Sequence, residues 1–427
     1  MSREPLPSSR NSPGRPARPE GYRVGEPGYR RVTLGLFFAG LTTFALLYTT
    51  QPLLPQLADR FHVSAAESAL TVSLATLGLA AGLVVAGPFS DVRGRVTVMR
   101  VSLVASSTIG LVSAFAPGWT VLLVLRAVQG LALAGLPAVA MAYLREEVHG
   151  ERHAQAAGLY IGGTAVGGMA GRLVAGGFAD LGGWRLAVGG VAALALVSAL
   201  AAVRLLPASR GFVARPASAR ALRKATSRLL HAPAQLALYA IAATAMGAFV
   251  AAFNGIGFRL AAEPFSLGPG VTGLVFLVYV VGVVSSPWAG RLAGVHGRAD
   301  VIVVGALVTL AGLALTLAPW LPLVVLGLAV TTGGFFAAHG VASGWVPARA
   351  HIAGAAVAQA SSLYLIAYYL GSSLFGDLAG VAWSAGSWPA VVALSGSLIV
   401  VTLLLGLFLR RVPRAQPATT DLPPLHG

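Results

Sequence analysis

The chain has 427 residues, of which 56% are apolar and only 10% charged, and its mean hydropathy is +0.77. Soluble domains carry about 25% charged residues, so this composition excludes an ordinary soluble protein and indicates a polytopic membrane protein. The net charge of +16 would suit a nucleic-acid-binding protein, but most of the basic residues lie in tails and loops between apolar stretches. The absence of cysteine excludes disulfides and thiolate metal sites.

Residues 1–31 are rich in proline, glycine and arginine and contain no long apolar core, so they predict a disordered basic tail and not a signal peptide. After them, twelve stretches reach the length of about 20 apolar residues that a membrane-spanning helix needs. These stretches are 32–55, 66–89, 96–116, 119–144, 155–180, 184–206, 233–258, 269–292, 300–318, 320–346, 355–379 and 387–409. The prediction is an all-α membrane protein.

The spans divide into two groups of six, because one long basic polar linker interrupts them. The predicted parts are an N-terminal half, 32–206, a linker, 207–232, a C-terminal half, 233–410, and a C-terminal tail, 411–427. With the N-terminus placed in the cytoplasm, most of the 30 basic residues fall on the cytoplasmic side. The positive-inside rule therefore predicts that both termini are cytoplasmic.

The turn after the second stretch contains Gly87, Asp91, Arg93, Gly94 and Arg95. Glycine allows a tight reversal and arginine fixes orientation, but a turn has no need of a carboxylate. The turn resembles the signature loop of the major facilitator superfamily, G-x-x-x-D-x-x-G-R, at each named position. This resemblance implies two pseudo-symmetric six-helix bundles with the substrate bound between them. A second copy, 290–298, follows the eighth stretch and has glycine where the aspartate would be.

Two arginines lie inside spans, where a charge is costly and usually functional. Arg126 begins the sequence R-A-V-Q-G, which includes Gln129 and resembles the family element R-x-x-Q-G in the fourth helix. We expect Arg126 to bind an anionic group or to relay a proton; the alternative is a structural arginine bonded to backbone carbonyls. Arg172 is the second arginine inside a span. The sequence favours neither a role in substrate binding or coupling nor a purely structural role for it.

The fifth stretch carries small residues at helical spacing, which allow a neighbouring helix to approach closely. They are Gly163, Gly167, Gly168 and Gly171. The run resembles the family's antiporter element, G-x-x-x-G-P-x-x-G-G, with Gly168 in place of proline and Arg172 in place of the last glycine. These two departures weaken the inference of antiport, while the packing prediction needs only small residues.

Proton coupling needs a titratable group within the membrane. The candidates are His339 and Asp377, with Glu67 at the mouth of the second stretch; each has an ordinary alternative as a helix-end acid or a hydrogen-bonded histidine. Neutral polar side chains in the spans are candidates for orienting a ligand, namely Tyr48, Gln51, Asn254 and Ser343. Arg126 and His339 are expected to face a central cavity from opposite halves.

A conformational latch is predicted at the cytoplasmic ends of the spans. Asp91 would meet the N-terminus of the eleventh helix near 354–358, whose free N–H groups favour an anion. Arg95 would reach Glu146 or Glu147 at the inner end of the fourth helix. These contacts would tie the halves together when the cavity opens outward.

Several further stretches resemble one subgroup of the family, the twelve-helix drug/proton antiporters described as arabinose-efflux-like; they are 29–34, 44–48, 334–339 and 359–365. This resemblance implies proton-coupled efflux of small hydrophobic or amphipathic compounds by a monomer in a bacterial inner membrane. The alternative is uptake or exchange of an organic anion bound by the two arginines. No H-E-x-x-H or phosphate-binding loop occurs, so we expect neither an enzyme nor a cofactor or metal, and no nucleic-acid partner.

Overall fold

The computed structural model describes residues 21–210, 212, 214, 219–353 and 356–412. Short 3-10 segments lie at Gln51–Leu53, Gly150–Arg152 and Val275–Val278. The α-helices are Pro27–Leu47, Leu54–Phe61, Ala65–Arg93, Arg95–Ser113, Trp119–Leu133, Gly135–Glu147, His153–Leu205, Ala219–Leu230, Pro233–Ala261, Pro269–Leu274, Tyr279–His296, Arg298–Leu315, Leu321–Ile352 and Val357–Arg411.

Twelve membrane spans result from this helix order. Within the described part of the chain, ten helical stretches are long and apolar enough to cross a membrane. Two of them, Gly150–Leu205 and Val357–Arg411, have 56 and 55 residues, about twice the length that one crossing needs. Each contains a non-helical break, at 182–183 and at 386–387, which divides it into two spans. The predicted all-α architecture is confirmed, and spans are numbered one to twelve in chain order.

The backbone of one half repeats in the other. Gly183 has φ 70° and Ser387 has φ 54°, so the breaks between spans five and six and between eleven and twelve share a left-handed residue. Gly94 has φ 93° and ψ 141°, and Gly297 has φ 102° and ψ 147°, at the two copies of the signature turn. Because side chains rarely adopt such angles, glycine is required at both turns even though only the first keeps the aspartate.

The structure departs from the predicted boundaries in three places. Span one begins at Pro27, inside the segment predicted as a disordered tail, because proline suits the first turn of a helix. It is also broken after Leu47 and resumes at Leu54. The predicted linker contains a basic helix, Ala219–Leu230, which we call the linker helix. The C-terminal tail from residue 413 and residues 1–20 lie outside the described part.

Glycines set the closest helix contacts in each half. A Cβ on Gly163, Gly167 or Gly171 of span five would overlap the backbone of span one. Gly371 on span eleven meets the backbone of Ala243 on span seven in the same way. Such close approach places the small-residue face of span five against span one, as its spacing predicts.

We call the face of the bundle that carries Pro27, the linker helix and Arg411 the linker side, and the other face the opposite side. The described hydrogen bonds between the halves join Gln51 to Asn254, Ser373 to the carbonyl of Ser73, and the N–H of Gly270 to Asp180. All three lie in the half of the membrane nearer the opposite side. The two halves are therefore closed together there.

The seam opens towards the linker side. Val84 lies 11 residues after Ser73, about three helical turns along the same face of span two. Ser73 is 3% exposed and bonded to span eleven, whereas Val84 is 58% exposed. The same face of span two thus packs on span eleven at one end and is uncovered at the other. This arrangement leaves a cleft between the halves that is accessible from the linker side.

Candidate transport site between the two halves

A chain of buried polar groups crosses the seam. Nε of Arg172 donates to Oε1 of Gln51 at 2.6 Å, and Nε2 of Gln51 donates to Oδ1 of Asn254 at 2.7 Å. Nδ2 of Asn254 then donates to the carbonyl of Gly376 at 3.0 Å. Arg172 also donates to the carbonyl of Gly168 at 2.5 Å. Gln51 and Asn254, two of the residues predicted to orient a ligand, are thus brought together with Arg172, and the chain of bonds links spans one, five, seven and eleven.

Aromatic rings surround the guanidinium of Arg172. Its central carbon lies 4.3 Å from the ring centre of Tyr48, 4.8 Å from Tyr279 and 5.0 Å from Phe276. Tyr48 belongs to span one, and the other two rings belong to span eight of the other half. Each buried cation–π contact of this kind contributes up to about 2 kcal/mol. The rings partly replace water around a cation that has no carboxylate partner among the described residues.

Tyr279 and Phe276 are not predicted from the sequence, because nothing in an apolar run distinguishes a ring beside a cation from a ring that only packs. Both continue into an aromatic cluster in the C-terminal half. Phe249 stacks on Phe335 with ring centres 4.1 Å apart, and Phe335 lies parallel to the imidazole of His339 at 5.5 Å. These buried rings pack behind the partly exposed side chains of Tyr279, Phe336, His339 and Tyr368. The side of the cleft that these four side chains form is planar and polarizable, which suits aromatic and amphipathic ligands.

His339 lies at the linker-side end of this cluster. Its Nδ1 is 2.9 Å from the hydroxyl oxygen of Tyr364, and the ring of Tyr368 is centred 4.8 Å away. Both His339 and Tyr368 are partly exposed, whereas Tyr364 is buried. An imidazole bonded to a phenol and accessible from a cleft can accept and release a proton, which is the chemistry that coupling requires.

Arg126 does not face the cavity, contrary to the prediction from the sequence. Its side chain is 1% exposed, and it donates to the carbonyls of Thr71, Leu46 and Leu47 and to Oε1 of Gln129. Leu46 and Leu47 are the last residues before span one breaks, so their carbonyls lack the helical partners of an unbroken helix. This geometry corresponds to the structural alternative, with Arg126 holding the broken end of span one.

The signature turn forms a network within one half. Arg95 donates to Oε1 of Glu146 at 2.8 Å, to Oγ of Ser90 at 3.2 Å, and pairs with Asp91 at 3.1 Å. Arg95 and Glu146 both belong to the N-terminal half, so this contact cannot tie the halves together. Asp91 has no bond to the described residues of span eleven. Residues 354–355, which belong to its predicted partner segment, are not among the described residues. The latch remains a prediction for the state in which the linker side is closed.

Glu147 has a role that the sequence analysis did not assign. Its side chain is 1% exposed, and Oε1 accepts bonds from Oγ of Ser209 and the N–H of Arg210, both at 2.7 Å. Its carbonyl accepts from the N–H of Tyr22. Glu147 therefore attaches the start of the linker and the N-terminal segment to the end of span four. Arg93, also predicted in the latch, lies over the ring of Phe89 at 5.6 Å.

The remaining candidates are dispersed. Glu67 forms a reciprocal capping box with Ser64 at the start of span two, which is the ordinary alternative for a helix-end acid. Ser343 donates to the carbonyl of Gly340 in its own helix. Asp377 is partly buried on span eleven, and its Oδ1 has no described hydrogen-bond partner. None of the three is in hydrogen-bond contact with the chain of groups at Arg172.

Comparison with known proteins decides the family. The family model described as Major Facilitator Superfamily matches residues 36–265. The chain belongs to the Major Facilitator Superfamily. It is 43% identical to the inner membrane transport protein YnfM of Escherichia coli (strain K12), over 91% of this chain and 92% of that protein. It is 39% identical to the uncharacterized MFS-type transporter YybF of Bacillus subtilis (strain 168), over 91% of this chain and 96% of that protein. The resemblance stated from the motifs is confirmed.

Solved structures of the superfamily share the fold at low identity. A bacterial homolog of the human lysosomal transporter Spinster, inward-facing and occupied, has a TM-score of 0.69 at 17% identity, covering 90% of this chain and 95% of that chain. The D-xylose-proton symporter has a TM-score of 0.68 at 18% identity, covering 92% of this chain and 98% of that chain. The chain is accordingly a membrane-embedded secondary transporter of small molecules and not an enzyme.

Proposed function

We propose that this chain exports small hydrophobic or amphipathic compounds in exchange for protons, by alternating access in a bacterial inner membrane. The observation that carries the proposal is the aromatic lining of the cleft, which includes Tyr279, Phe336, His339 and Tyr368 as partly exposed side chains. Such a surface suits apolar and planar ligands without requiring one hydrogen-bond pattern. The resemblance to drug/proton antiporters supports the direction of transport.

In this proposal the linker side is cytoplasmic, and the structure is the inward-open state. The positive-inside rule supports this orientation, because the linker and the turns on that side carry most of the arginines. The inner membrane location named for YnfM supports the assignment of the membrane. Reporter fusions at both termini and in the linker should be active in the cytoplasm, and a periplasmic signal from the linker would contradict the topology.

His339 is the proposed proton carrier. Substrate and proton would compete for the same partly exposed surface, because the imidazole stacks within the aromatic lining. The test uses proteoliposomes with an imposed pH gradient and a panel of fluorescent aromatic compounds. His339→Gln should flatten the pH dependence of flux, while His231→Gln, an exposed linker histidine, should leave it unchanged. If His339→Gln and Asp377→Asn both keep the wild-type profile, coupling lies at Glu67 or is not to protons.

One observation favours the organic-anion alternative as a second candidate. A guanidinium has five N–H donors, and Arg172 uses two of them in described hydrogen bonds. Its Nη2 has no described acceptor, and no carboxylate lies beside it. A carboxylate ligand entering the seam would find both charge and donors there. Counterflow of radiolabelled aromatic carboxylates separates the two candidate functions. If organic anions are the substrates, Arg172→Gln should abolish this counterflow. If neutral compounds are the substrates, the Arg172→Gln variant should still export them measurably.

A further inference from the structure

A second cavity lies away from the cleft, at the linker side of the C-terminal half. It has a volume of about 480 Å³, and its walls are the end of the linker helix, the start of span seven, the end of span ten and Val412. Most of its lining is apolar, including Leu229, Ala234 and Ala350. Its size is within the range of small-molecule sites, about 300–1,000 Å³.

Two arginines at this cavity form no ion pair with any described residue. Arg228 comes from the linker helix and Arg349 from span ten, and no aspartate or glutamate lines the cavity. Arg349 lies over the ring of Trp345 at 5.8 Å, and neither guanidinium has a described ion pair. By contrast, nearby Arg410 pairs with Asp300 at 2.6 Å. The chain thus neutralises one arginine of this region and leaves two available at the cavity.

The linker helix adds positive charge around the same place. Arg220, Arg223 and Lys224 are exposed on it, its sequence contains no acid, and Leu229 is buried against the bundle. A helix with an apolar buried face and a basic exposed face lies naturally at the surface of a membrane. The N-terminus of span seven, at Ala232 and Pro233, also lines this cavity, so the positive end of its helix dipole adds to the charge there.

We propose that this cavity binds an anionic phospholipid, with the phosphate between Arg228 and Arg349 and the first acyl carbons against the apolar wall. A free phosphate would leave that wall in contact with water, whereas a lipid satisfies the charge and the apolar surface together. The cavity lies at the ends of spans seven, ten and twelve, which is the depth of lipid headgroups. Bound lipid would attach the linker helix to the C-terminal half.

The test measures lipid binding to the full-length protein in neutral detergent. Native mass spectrometry and the melting temperature are recorded with phosphatidylglycerol, with phosphatidylcholine of the same acyl chains, and with inorganic phosphate. Phosphatidylglycerol alone should be retained and should raise the melting temperature. Arg228→Gln/Arg349→Gln should weaken its retention about thirty-fold, since each basic side chain near an anionic lipid contributes about five-fold.

The matched control is Arg220→Gln/Arg223→Gln, which removes the same number of charges, both of them from the linker helix and neither from the cavity. It should retain phosphatidylglycerol far better than Arg228→Gln/Arg349→Gln does, because Arg220 and Arg223 are exposed and do not line the cavity. Equal loss in the control, equal effects of both lipids, or reproduction of the effect by inorganic phosphate would each overturn the proposal. If the double variant fails to fold, Arg228→Gln alone changes an exposed side chain and should still weaken retention; wild-type retention would refute the site.

Discussion

The bond between Gln51 and Asn254 offers a way to change the balance between the two states of the transporter. In the structure this bond crosses the closed end of the seam, and both side chains are buried, at 1% and 2% exposure. Gln51→Leu keeps the size of the side chain but removes the acceptor for Arg172 and the donor to Asn254. Two polar groups then remain buried without a partner.

Each unsatisfied buried polar group costs about 1–3 kcal/mol. In the opposite state the seam opens at this end, so water can satisfy both groups and the cost disappears. The state in the structure, which is open at the linker side, is therefore destabilised relative to the state open at the opposite side by about 2 kcal/mol, a conservative sum for the two groups. This corresponds to a change of about thirty-fold in the ratio of the two populations.

The absence of cysteine in the chain makes the measurement direct. Val84→Cys places a thiol on the uncovered face of span two. Val84 lies 11 residues from Ser73, and Ser362 lies 11 residues from Ser373, the bonding partner of Ser73 on span eleven. The thiol is therefore at the same depth as Ser362. Closure of the linker side should cover it, so Gln51→Leu should slow its labelling by a membrane-impermeant maleimide applied from the linker side. Gln235→Leu is the control, because the bonds of Gln235 stay within the C-terminal half. An unchanged rate in Gln51→Leu, or equal slowing in the control, would refute the reasoning.

Three other variants test the packing and the turn. Gly167→Val should prevent folding, because its Cβ would overlap the backbone of Leu41, whereas Gly158→Ala meets no atom and should be neutral in a thermal unfolding assay. Arg126→Met should lower the yield of folded protein, since it removes the donors to the carbonyls of Leu46 and Leu47 at the break of span one. Normal folding with lost transport would restore a functional role. Asp91→Asn should reduce turnover and favour the inward-open state, and unchanged flux together with unchanged Val84→Cys labelling would rule out the latch.

The sequence predicts the spans, the halves and the signature turn because each depends on local composition. Contacts between side chains depend instead on which way each helix is rotated about its axis and on where a helix is broken. Composition reveals neither of these. The break after Leu47 exposes two carbonyls to Arg126, and without it the arginine would have no reason to be buried there. Glu146 and Glu147 are adjacent in sequence, yet about 100° apart around a helix, so one meets the turn and the other the linker.

The two breaks at 182–183 and 386–387 have a consequence for binders raised against the intact cell. At both places the chain leaves one span and enters the next within two residues, so no loop projects from the membrane. With the proposed orientation, 262–268 is the longest described connection outside the cell, so antibodies and phage would find few sizeable epitopes there. Selections for conformation-specific binders should therefore present the linker side, where the linker helix, Ala219–Leu230, lies between spans six and seven.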